Sequence, residues 1–68
     1  MKRRVLIVED DVFVGGLLAE TLEAAGFETR HATSAAEARR AATEFDPDVA
    51  LVDLDLGDGP SGVDLMRA

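Results

Sequence analysis

The amino-acid sequence predicts an α/β domain built on a doubly wound parallel sheet, and three observations carry that expectation. Two apolar runs, Val5 to Val8 and Val49 to Val52, have no polar break, as strands buried on both faces do. Segments with helical spacing follow the extended runs in strict alternation, giving the order β-α-β-α-β-α. No internal repeat, linker or low-complexity stretch interrupts it.

The first strand is Val5 to Val8. Asp11 then stands where a helix N-cap belongs, and Val14, Leu17, Leu18, Leu22 and Ala25 recur on one helical face. Gly26 is the stop at C′. Gly15 and Gly16 conflict with this helix, each costing about 1 kcal/mol relative to alanine, unless the helix lies close against the sheet. Phe27 to Ala32 is a more polar strand, suited to an edge. Ser34 and Glu37 form a capping box that opens a second helix, with Ala38, Ala41, Ala42 and Phe45 on its buried side. Asp46-Pro47-Asp48 ends it, because the residue before proline avoids helical geometry. The third strand is Val49 to Val52. After a turn-rich loop, Gly57 to Gly62, the stretch Val63 to Ala68 reads as the first turns of a third helix. Right-handed crossovers then put the apolar first and third strands side by side and the polar second strand outside, in the order 2-1-3.

With 68 residues and no cysteine, a disulfide scaffold and a thiolate metal site are excluded, and the lone His31 excludes a multi-histidine zinc site. A chain this short buries only about 60% of the surface it exposes when unfolded, so its stability is marginal. Fourteen acidic against seven basic side chains give a net charge of −7, which opposes binding to nucleic acid. The basic Lys2-Arg3-Arg4 start reads as solvation of a terminus. Val12 to Ala19 falls far short of the roughly 20 residues that span a membrane, and Glu9, Asp10 and Asp11 break the pattern of a signal peptide. A cytoplasmic location is expected.

Both apolar strands end in acids: Glu9, Asp10 and Asp11 after the first, Asp53 and Asp55 after the third. In a parallel sheet these ends share one edge, and the crevice between strands whose connections diverge is the expected ligand site. Clustered carboxylates repel, so they take up protons or share a cation. Oxygen-only donors suit Mg²⁺, and a cation there would neutralise an incoming phosphoryl group, with an aspartate as acceptor. Acids at strand ends are common, and from spacing alone helix capping and solvation are the readier explanation.

Ile7-Val8-Glu9-Asp10-Asp11, Pro47-Asp48-Val49-Ala50-Leu51-Val52-Asp53-Leu54 and Gly62-Val63-Asp64-Leu65 together resemble a response-regulator receiver domain, in order and in separation. That family has a flavodoxin-like sheet whose strand order contains 2-1-3. The resemblance implies a phosphoprotein of two-component signal transduction or a phosphorelay. It makes Asp53 the phosphoacceptor for a sensor histidine kinase or phosphotransfer protein. It makes Asp10 a direct Mg²⁺ ligand, Glu9 a ligand acting mainly through water, and Asp55 a ligand through its backbone carbonyl. Such a module is a signalling device rather than a turnover enzyme. Asp11 remains the helix cap, His31 a surface residue, and Leu65 and Met66 core-facing.

Several features depart from the family. Gly57 stands where a proline is usual, and the loop before Gly62 is one residue longer than the common form. Residues 1–68 correspond to the N-terminal three-fifths of a receiver, without its fourth and fifth strands and their helices. The switch Ser/Thr and the phosphate-pairing Lys those strands carry have no counterpart, so a structural or dimerising fragment without phosphotransfer is an open alternative. Asp53-Leu54-Asp55 also resembles the nucleophile motif of haloacid-dehalogenase-type phosphatases, though that leaves Glu9 and Asp10 unexplained. With no fourth strand, Val49 to Val52 is expected to be an exposed edge, which would leave the chain poorly folded or self-associating through that strand.

Overall fold

A computed structural model describes residues 2–53 and 63–67, with Asp53 and residues 63–67 placed by their backbone. The element order is β1 (Arg4–Val8), α1 (Val12–Ala24), β2 (Glu28–Ala32), α2 (Ala35–Phe45), β3 (Val49–Asp53) and β4 (Val63–Arg67). They form one sheet in the order β2-β1-β3-β4. β1 pairs in parallel with β2 and β3, so the expected 2-1-3 arrangement holds.

β1 is the centre of the core. Val5, Leu6, Ile7 and Val8 are all buried, because a strand with a neighbour on each side and a helix on each face leaves no side chain to water. Leu6 and Val8 pack with Ala32 of β2 and with Ala38 and Ala41 of α2 on one face. Ile7 points to the other face, toward α1, by strand alternation.

The helix boundaries follow local chemistry. The Asp11 carboxylate accepts from the Phe13 and Val14 amides at 2.9 and 3.1 Å, capping α1. At the other end Gly26, at φ 100°, donates to the Glu23 carbonyl while the Phe27 amide donates to that of Leu22, both at 3.0 Å. This is the Schellman pattern, and its positive φ disfavours any residue with a Cβ. Gly26→Ala is expected to cost about 1 kcal/mol, read as an earlier midpoint in urea denaturation. Ser34 caps α2 by accepting from the Glu37 amide at 3.1 Å. The Glu37 carboxylate reaches back to the Thr33 amide and hydroxyl rather than to Ser34, and these bonds hold its pKa below the usual carboxylate value. α2 ends at Asp46, in the left-handed region at φ 52°.

Arg4 is not merely a solvated terminus. It donates to the Phe45 carbonyl at 2.8 Å, lies 3.5 Å from the Glu28 carboxylate and stacks over the Phe45 ring. Asp48 accepts from the Arg4 amide, and its own amide donates to the Arg4 carbonyl, both at 2.9 Å.

Two expectations are corrected. Val63–Arg67 is not the start of a third helix but a strand antiparallel to β3, with Leu51 opposite Leu65. The outer edge of β3 offers a row of backbone groups that a five-residue strand can pair with instead. β3 is therefore not an edge, and the premise for self-association through it falls. The second correction concerns α1. Its buried residue is Gly15, with Leu18 and Leu22 half-buried, whereas Val14 and Leu17 are 42% and 56% exposed. The helix is turned so that a glycine faces the sheet. The loop expected from Gly57 to Gly62 lies outside the described residues. The side-chain positions expected of Leu65 and Met66 likewise lie outside what is described.

Candidate functional site

The candidate site is the C-terminal edge of β1 and β3. Val8 and Val52 are partners in the parallel register, so Glu9 and Asp53 are the next residues on adjacent strands. Such strands lie about 4.8 Å apart. β1 leads to α1 and β2 on one side while β3 lies on the other, which makes this the switch point of the sheet.

The three consecutive acids after β1 have different surroundings. Glu9 is buried, 6% exposed, and its Oε1 accepts from the Asp11 amide at 3.0 Å. Its own amide donates to the Ala32 carbonyl at 2.9 Å, extending the pairing with β2 by one step. Asp10 is exposed at the turn. Asp11 is occupied as the cap of α1, as expected. Asp55 lies outside the described residues.

Among the described residues, no group of three or more His, Cys, Asp and Glu comes together to hold a metal. The donor chemistry nonetheless fits a hard cation. Glu9 and Asp10 offer carboxylate oxygens beside the strand end that carries Asp53.

His31 was expected on the surface and is not there. It is half-buried beneath α1, and its Nε2 lies 2.7 Å from the Glu9 carbonyl oxygen. A carbonyl only accepts, so Nε2 carries the proton and donates. The ring occupies the space above Gly15, where a Cβ would fall inside it. The close approach invoked for the helix glycines therefore applies to Gly15, while Gly16 has nothing within 4 Å of a Cβ position. The signal for this contact was present in the sequence as a glycine in the first turns of a helix. Only the register, Ile7 opposite His31, shows which ring fills the gap.

Beside the acids, the start of α1 presents Val12 and Phe13, 69% and 79% exposed, with Leu17 one turn on. This is a contiguous apolar patch next to Asp10. Among the described residues no helix is long and apolar enough to cross a membrane.

A central apolar strand ending in an acidic pair, and a second such strand ending in aspartate beside it, define a class. Residues 5–68 match the response regulator receiver domain, and the chain belongs to that family. It is similar to the transcriptional regulatory protein PrrA of Mycobacterium tuberculosis, at 43% identity over 67 residues covering 96% of this chain. It is also similar to the DNA-binding response regulator MtrA of Mycobacterium leprae, at 36% identity over 67 residues covering 98% of this chain. The chain spans 29% of the length of each of these relatives. No solved structure matches it.

Proposed function

We propose that this chain is a phosphoacceptor module of two-component signalling in the cytoplasm, receiving a phosphoryl group on Asp53 from a histidine kinase or phosphotransfer protein. The observation that carries the reading is the β1–β3 register, in which Glu9 and Asp53 follow the paired residues Val8 and Val52. In the transfer, an Asp53 carboxylate oxygen attacks phosphorus and the P–N bond to the donor histidine breaks. The imidazole nitrogen leaves with the bonding pair and takes up a proton, and Asp53 becomes an acyl phosphate. Asp10, Asp53 and the Asp55 carbonyl, with Glu9 mainly through water, would hold Mg²⁺, which would supply charge to neutralise the phosphoryl oxygens. The exposed Phe13 and Leu17 give the donor protein an apolar surface within reach of the acids.

The test uses acetyl phosphate as donor. With Mg²⁺ the chain is expected to take up one hydroxylamine-sensitive phosphate, and chelation is expected to prevent it. Failure of the folded chain to label would favour the structural-fragment reading.

The acids should also separate by role. Asp10→Ala is expected to weaken Mg²⁺ binding severalfold or more while leaving the melting temperature nearly unchanged. Asp11→Ala is expected to cost about 1 kcal/mol of stability through the lost cap, with little change in Mg²⁺ affinity. Metal titration and thermal melts of both variants check this, and equal losses of affinity would show the acidic pair to be shifted by one residue.

A further inference from the structure

We propose that His31 is a positioning residue for the acidic turn. Its Nε2–H, reaching the Glu9 carbonyl through space that Gly15 leaves open, sets the direction in which Asp10 leaves the sheet. The inference rests on the Mg²⁺ site proposed above.

The backbone around Glu9 carries the argument. The Glu9 amide is tied to the Ala32 carbonyl at 2.9 Å, the last step of the pairing with β2. Beyond Ala32 the second strand ends, and Ser34 turns away to cap α2. A side chain, the His31 ring, reaches the Glu9 carbonyl at 2.7 Å. That carbonyl belongs to the Glu9–Asp10 peptide. Because a peptide is planar, fixing its oxygen fixes the plane and hence the Asp10 amide and Cα. The Glu9 side chain is oriented from the other direction by the Asp11 amide at 3.0 Å. β2 and the start of α1 therefore hold the two acids from opposite sides.

The ring has no slack. It lies against Gly15, where even a methyl group would collide with it, and Gly15 is itself anchored in the first turn by the hydrogen bond its amide donates to the Asp11 carbonyl at 2.9 Å. His31 thus bridges the strand end and the first turn of α1, the two points between which the acids are strung. Partners that orient metal ligands typically change metal affinity 10–100-fold when removed.

The experiment compares His31→Gln, His31→Leu and Gly15→Ala with the unaltered chain. Gln carries an amide N–H near the position of Nε2; Leu fills much of the volume without a donor; Gly15→Ala drives the ring out. Mg²⁺ affinity is read from the Asp10 and Asp11 amide shifts, well below each melting temperature. His31→Leu and Gly15→Ala are expected to weaken Mg²⁺ binding at least about tenfold, with His31→Gln restoring it to within a few-fold. Equal affinity in the Leu variant and the unaltered chain, with Asp10→Ala still weakening binding severalfold or more, would overturn the inference alone. Insensitivity of Mg²⁺ binding to Asp10→Ala would overturn the metal reading and the inference with it. Should the Leu variant not fold, ¹⁵N spectra of the unaltered, metal-free chain decide. A slowly exchanging Nε2–H on His31 is expected, and a ring protonated only on Nδ1 would overturn the proposal.

Discussion

Asp53→Asn is expected to abolish phosphate incorporation from acetyl phosphate or from a phosphorylated kinase. The amide has nearly the size and shape of the carboxylate but lacks the anionic oxygen that attacks phosphorus. Folding should survive, because the change keeps the size of the side chain and removes one negative charge from a chain whose net charge is −7. A variant that melts like the unaltered chain yet carries no hydroxylamine-sensitive phosphate is the expected result, and normal labelling would move the acceptor elsewhere. Asp55→Asn, by contrast, should still label, since the role proposed for Asp55 uses its backbone carbonyl. A phosphatase of the haloacid-dehalogenase kind would need the Asp55 carboxyl as its acid/base, so turnover of a small phosphoester lost in Asp55→Asn would reverse the assignment.

Ile7→Ala is expected to remove most of the stability of the fold. Ile7 is the largest fully buried side chain among the described residues, 1% exposed, on the central strand between His31 of β2 and Leu51 of β3. Truncations of this kind cost about 2–5 kcal/mol, the lost transfer energy plus the cavity left behind. Small domains have only about 0.05–0.15 kcal/mol of stability per residue, so a chain of this length holds a reserve of the same order. Thermal melts by circular dichroism should fall by at least about 10 °C, or lose their cooperative transition altogether. A shift of only a few degrees would show that the central strand is less tightly enclosed than its burial indicates.

The elements legible in the sequence were those whose cause is local. Val5 to Val8 reads as a buried strand from composition alone, and Asp11, Ser34 and Gly26 mark helix ends because their chemistry acts within a few residues. The strand order followed from the contrast between the apolar first and third strands and the polar second. What was missed depends on partners distant in sequence. Val63–Arg67 has enough pattern for either a helix start or a strand, and the open edge of β3 decides between them. The rotation of α1 depends on Gly15 meeting His31, two residues on different elements, and apolar periodicity cannot see a glycine that packs by having no side chain. For the same reason the acids at the strand ends were legible as a group, while the ring that holds the Glu9 carbonyl was not.

The bond between Arg4 and Asp48 has a consequence for the order in which the molecule is made. β1 leaves the ribosome before β2 and β3, yet it is enclosed between them, and its first residue is tied to Asp48, 44 positions later. The entropic cost of that longer closure is small, since stretching the loop from Glu28 to Asp48 adds only about 0.5 kcal/mol. The kinetic cost is larger, because contacts this far apart in sequence slow the search for the native arrangement. Until β3 has emerged, Val5 to Val8 stay as an adhesive apolar strand with one side open, the stretch a nascent-chain chaperone would shield. β1 is made before both of its neighbours and is enclosed only when the later of them, β3, has emerged.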